Sequence, residues 1–162
     1  MSQPSSRSQL LQAQVRTYFE ACNEGNHAKM AAVFSADIVH YFPPGMFGPC
    51  VGSRVIADLW RRMINQAGSR WTIDRMVCDG NEVVIEWTHW QPKSDSWIRG
   101  AEWYEFDDAG LITVIKAYYA SPRDRSLPAN ELAGYPYAEL GYPMSPPSVA
   151  PTLPDESEEV AT

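Results

Sequence analysis

The chain has 162 residues, 44% of them hydrophobic and 12% aromatic, and carries a net charge of −7. That size and composition predict one globular domain able to bury its own core. The acidic balance excludes a nucleic-acid-binding face, because phosphate contact needs a basic patch.

The cysteines, Cys22, Cys50 and Cys78, are odd in number and far apart, without Cys-x-x-Cys spacing. That argues against a disulfide framework or a thiolate metal site and reads as a reduced, cytoplasmic protein. Cys22 and Cys78 read as core. Cys50, in a loop, has no evident activating partner for a nucleophile. The polar stretch Ser2–Ser8 lacks an apolar signal core, and no run approaches the ~20 apolar residues of a membrane helix.

In chain order, residues 1–8 are expected to be flexible. Leu10, Leu11, Val15, Tyr18, Phe19 and Cys22 recur at i, i+3/i+4, i+7 and predict an amphipathic helix over 9–23. Gly25 suits a left-handed cap. A second helix is expected over 27–34, then a strand over Ile38–Phe42. Three prolines and three glycines predict an irregular loop up to Gly52. Ser53 is expected to cap a third helix whose buried side is Val55, Ile56, Leu59, Trp60, Met63 and Ile64. Four strands follow: Trp71–Cys78, Glu82–Trp90, Trp97–Phe106 and Leu111–Tyr119. Asp79-Gly80-Asn81 and Asp107-Asp108-Ala109-Gly110 read as hairpin turns. Helices followed by an antiparallel meander predict an α+β fold, with the helices on one face of a curved sheet. Residues 121–145 are expected to form an ordered irregular extension, packed back through Leu132, Tyr135, Tyr137 and Tyr142. Residues 146–162 are expected to be a disordered acidic tail.

Within the strands, three titratable residues fall on the apolar face. His40 shares its face with Ile38 and Phe42, His89 with Val83, Ile85 and Trp87, and Glu102 with Ile98, Tyr104 and Phe106. Burying such groups is costly without a partner, and a pocket with apolar walls and convergent acid–base groups accounts for all three. For Glu102 the structural alternative is an ion pair to Arg99 or Lys116, but those residues alternate to the opposite face. His40 and Tyr18 could equally be core residues, and His89 a residue exposed at the sheet edge. Two His and one Glu could also hold a metal, but nothing in their spacing favours one.

Two stretches carry a family resemblance. Tyr18-Phe19-Glu20-Ala21-Cys22-Asn23-Glu24-Gly25-Asn26, continuing into Ala32–Val39, and Glu105-Phe106-Asp107-Asp108-Ala109-Gly110-Leu111-Ile112 resemble motifs of the ketosteroid-isomerase-like superfamily. It is also called SnoaL-like or nuclear-transport-factor-2-like, and the resemblance covers about residues 9–120. It implies a cone-like sheet wrapped on the N-terminal helices and, commonly, dimers packed sheet to sheet. In ketosteroid isomerases a Tyr at the position of Tyr18 and a buried neutral acid at that of Glu102 donate to an oxyanion. Their general-base Asp falls on Phe42, so His40, two residues earlier on the same face, is the substitute. The Asp of SnoaL-type cyclases and of limonene epoxide hydrolases falls on Ala117, and an Arg of the latter on Gly100; both activities are thereby weakened. The fold alone does not choose the reaction.

The sequence thus supports a cofactor-independent, metal-free acid–base enzyme. Isomerisation, dehydration or cyclisation of a small hydrophobic cyclic or aromatic molecule would all fit. His40 is the expected base, His89 its partner or acid, and Tyr18 and Glu102 the oxyanion or leaving-group donors. Phe42, Trp87, Tyr104, Tyr119, Ile115 and Ala117 are expected to line the pocket. Trp60 and Trp71 read as core. Trp90, Trp97 and Trp103 alternate outward, and a Trp-rich outer face predicts a covered surface and hence a homodimer. The rivals are a small-ligand-binding or assembly module of the same fold, and an adaptor acting through the proline-rich tail.

Overall fold

The computed structural model describes residues 6–42, 47–120 and 137–148. Leu132, Tyr135 and residues 149–162 lie outside them, so the expectations placed there are not addressed by the structure.

The chain adopts the α+β class. Among the described residues, three α-helices, α1 (Ser6–Glu24), α2 (His27–Ala31) and α3 (Ser53–Ala67), pack against a six-stranded open, curved sheet. Its strands are β1 (Phe34–Tyr41), β2 (Cys50–Val51), β3 (Arg70–Asp79), β4 (Glu82–Gln91), β5 (Ser96–Phe106) and β6 (Ile112–Tyr119), in the order β2-β1-β6-β5-β4-β3.

Local chemistry explains most boundaries. No glycine or proline interrupts α1, and Gly25 (φ 66°) turns the chain out of it. Asn26 caps α2 through its side-chain oxygen, which accepts from the Lys29 N–H at 2.9 Å. Gly68 (φ 68°) closes α3 and donates to the Ile64 carbonyl at 2.8 Å.

Four expectations are corrected. α1 begins at Ser6, inside the stretch expected to be flexible. β1 begins at Phe34 and α2 stops at Ala31, because Phe34 pairs with Ile112 and the Ile112 N–H donates to the Val33 carbonyl. Ser53 is not the cap of α3; Gly52 is, without a side-chain bond. The sheet is not wholly antiparallel, since β1 runs parallel to β6, and the loop after β1 contributes the short β2.

The register sets the rows that face the helices. Ile85, Glu102 and Ala117 form one cross-strand row, Trp87, Gly100 and Tyr119 the next, and Val83, Tyr104, Ile115 and His40 a third. Leu11, Val15, Tyr18 and Phe19 of α1 and Ile56, Leu59, Trp60 and Ile64 of α3 are buried with them. Each such aliphatic side chain contributes about 1.5–3 kcal/mol relative to exposure.

Candidate functional site

The alternation that placed three titratable groups on the inner face holds: His40 is 0% exposed, His89 6% and Glu102 6%. β1 delivers His40 and β5 delivers Glu102, and the two side chains converge across β6. His40 Nε2 lies 3.5 Å from Glu102 Oε1. Neither imidazole nitrogen makes a hydrogen bond. The other carboxylate oxygen, Oε2, accepts from the Tyr104 hydroxyl. Tyr104 stands two residues from Glu102 on the same strand face, so a residue expected only to line the pocket instead holds the carboxylate.

Aromatic rings complete the setting. The imidazole of His40 stacks on Phe42 at 4.0 Å and 19° and meets Trp60 at 5.6 Å. Trp60 Nε1 donates to the Tyr18 hydroxyl oxygen at 2.8 Å. Trp60, expected to be plain core, therefore bridges the Tyr18 phenol and the imidazole. Tyr18 lies edge-on to Tyr104, with ring centroids 6.2 Å apart.

Burial pushes the hydroxyls of Tyr18 and Tyr104 well above the usual phenol range, and the charge of Glu102 adds to both. Burial, then the same carboxylate, raises Tyr119. These phenols therefore stay protonated at neutral pH and can donate. Ile115 and Ala117 are buried on β6, Trp87 on β4, and Tyr119 packs edge-on to Trp87 at 5.1 Å.

The structure does not bring His89 to this pair. Its ring stacks on Trp71 at 4.7 Å, and Nε2 shares a 2.7 Å hydrogen bond with the buried Ser69 hydroxyl. Trp71 meets Trp60 at 5.4 Å, and Trp60 meets His40, so two indoles stand between the imidazoles. Burial lowers the His89 pKa to about 4. Among the described residues, no three His, Cys, Asp or Glu side chains converge as a metal-ligand set.

Opposite these rows, the outer face is partly covered by the chain itself. Arg99, placed on that face by alternation, is only 3% exposed. Its Nη1 donates to Thr88 Oγ1 at 2.7 Å and lies 3.6 Å from Asp74, and its guanidinium sits 4.2 Å from the Tyr137 ring centroid. Tyr137 and Tyr142 are buried against this face.

A SnoaL-like domain family model matches residues 15–115. A protein of unknown function with a cystatin-like fold from Methylobium petroleophilum is 43% identical. The match covers 89% of this chain and 97% of that one, with a TM-score of 0.71. An epoxide hydrolase of M. tuberculosis, described as LEH-like, is 25% identical over 72% of this chain and 82% of its own, with a TM-score of 0.60. An NTF2-like protein of unknown function from Mesorhizobium loti is similar in fold, with a TM-score of 0.61 at 19% identity over 72% of this chain and 96% of that one. No curated protein matches the chain.

Proposed function

The chain belongs to the SnoaL-like domain family, and from that premise we propose that it is a cofactor-independent acid–base enzyme. Its substrate is a small, largely apolar cyclic or aromatic molecule, bound between the helices and the inner sheet face. The observation that carries this reading is the imidazole of His40. It is fully buried, makes no hydrogen bond at either nitrogen, and lies 3.5 Å from a carboxylate held by Tyr104. A structural histidine at that depth ordinarily satisfies at least one nitrogen.

In the proposed mechanism a ring nitrogen of His40 takes a proton from carbon or oxygen of the substrate. The electron pair left behind moves toward a substrate oxygen, and the same imidazolium returns the proton at the product position. Glu102 stabilises the transient imidazolium across the 3.5 Å gap, as carboxylates beside catalytic histidines do. In this reading Glu102 acts on the imidazolium through Oε1 rather than as the donor that the family resemblance suggests, while its Oε2 accepts from Tyr104. Tyr18, kept neutral by burial and accepting from Trp60, is in this reading the donor to the negative oxygen. One such donor is worth about 3 kcal/mol of barrier.

The complete burial of His40 favours a second reading, a small-ligand-binding module in which the same interior holds a molecule without turning it over. Mass spectrometry of a co-purified ligand, followed by turnover assays of that molecule, separates the two. The catalytic reading expects conversion by the wild type and loss of at least 100-fold in His40→Gln. Equal rates in both proteins would refute it.

We also propose a homodimer through the outer sheet face. Val77, Val84 and Trp103 form a cross-strand row there, and Val77 and Trp103 are exposed, as is Leu140 beside them.

A further inference from the structure

Phe42 meets its aromatic neighbours in two ways. Phe47 and Trp60 stand edge-on to it, with centroids 5.1 and 5.9 Å away at 75° and 69°. The imidazole of His40 lies against its face instead, at 4.0 Å and 19°. The edge-on contacts fall within the roughly 4.5–7 Å at which neutral aromatic pairs settle, and the stacked one is closer. The protein's other stacked imidazole, His89 on Trp71 at 15°, keeps 4.7 Å. That ring is neutral, its pKa lowered by burial to about 4.

The negative face of an aromatic ring attracts a positive charge held within about 6 Å of its centroid, and more strongly away from water. His40 has need of such a partner once it takes a proton. It is fully buried, and neither nitrogen makes a hydrogen bond. Glu102 Oε1 stands 3.5 Å away, beyond the roughly 2.7–2.9 Å of a charge-assisted bond. A buried cation without further compensation is costly. The face of Phe42 supplies that compensation, and Trp60, tilted at 5.6 Å from the imidazole, adds a second ring. The other titratable groups around the pair are Tyr18 and Cys22 of α1, Cys50 of β2, Tyr104 of β5 and Tyr119 of β6. Burial raises the pKa of each, so all five are neutral at pH 7. Arg62 of α3, which acts on Cys50, is exposed.

We propose that Phe42 is a positioning residue of the acid–base pair: its π face stabilises the imidazolium that His40 becomes on taking a proton, and so strengthens His40 as a base. The consequence for turnover rests on the proton-transfer reading of His40; the stabilisation itself is measurable without a substrate.

The test is site-specific replacement of Phe42 in the full-length protein by pentafluorophenylalanine, which keeps a flat ring and reverses the charge of its face. Ring ¹⁵N signals of His40, assigned by their loss in His40→Gln, are followed across pH. The fluorinated protein should hold the His40 proton at least threefold more weakly than the wild type. 3,5-Difluorophenylalanine at the same position should fall between them, and His89 should be unchanged in all three. Where the pentafluoro ring prevents folding, the difluoro ring and Phe42→Leu, which has no π face, should each weaken the hold on the proton. A His40 proton held equally in every variant, an effect of Phe42→Leu without any trend on fluorination, or an equal change at His89 would overturn the assignment. Failure of the proton-transfer reading shows separately, as turnover that survives His40→Gln.

Discussion

A buried imidazole with no hydrogen bond at either nitrogen is a poor way to stabilise a fold, and that is the argument for its use. Leaving a buried polar group unsatisfied costs about 1–3 kcal/mol, and active sites tolerate such costs where function requires them. Replacing His40 by an apolar residue of similar size removes no hydrogen bond, only the 3.5 Å approach to Glu102, so it should cost little stability while removing the chemistry. His40→Leu is expected to leave the unfolding free energy within about 1 kcal/mol of the wild type in urea melts, whereas a hydrogen-bonded core histidine would lose more on the same change. At this scale the sequence was informative about direction and silent about partners. Period-two alternation placed His40, His89 and Glu102 inward, and all three are buried. The Tyr104–Glu102 bond was available as an i, i+2 pair on one strand face. Trp60 as donor to Tyr18 was not, because it links residues 42 apart on different helices.

At the scale of elements, β4 and the start of β3 hold a second buried imidazole with a different consequence. His89 has a folded pKa of about 4, lowered by burial from the usual 6.5. The folded state therefore binds fewer protons than the unfolded state between those values, and stability rises with pH across that window. The stability His89 contributes as a neutral ring is fully present above about pH 6.5 and is lost as pH falls toward 4, by about 3 kcal/mol in all. Denaturant melts from pH 7 to pH 4 should show that decline, and His89→Gln should flatten it. A wild-type curve no steeper than that of the variant would contradict the burial argument. The helices and four long strands were legible because each declares itself by local periodicity. The parallel pairing of β1 with β6 and the two-residue β2 were not. Both depend on partners distant in sequence, and neither leaves a periodic trace.

At the scale of the molecule, the outer sheet face serves two purposes. Arg99, which alternation sends away from the core, is covered by the chain's own Tyr137 and Tyr142. Sequence alone suggested that the tyrosines pack back, but not where, because which face they cover is a tertiary choice. Among the described residues, Val77, Trp103, Tyr118 and Leu140 stay exposed. If two copies meet there, sedimentation should give a dimer in the wild type and a monomer in Trp103→Glu, with the acid–base chemistry of His40 intact in both. The central claim is proton transfer by His40, and it can be read before the net reaction is known. In D₂O, the protein should catalyse deuterium exchange at the acidic C–H of at least one member of a panel of small cyclic and aromatic ketones, followed by NMR. The account predicts exchange by the wild type that falls at least 100-fold in a folded His40→Gln protein. Exchange that persists undiminished in that variant, or none by the wild type across the panel, would contradict it.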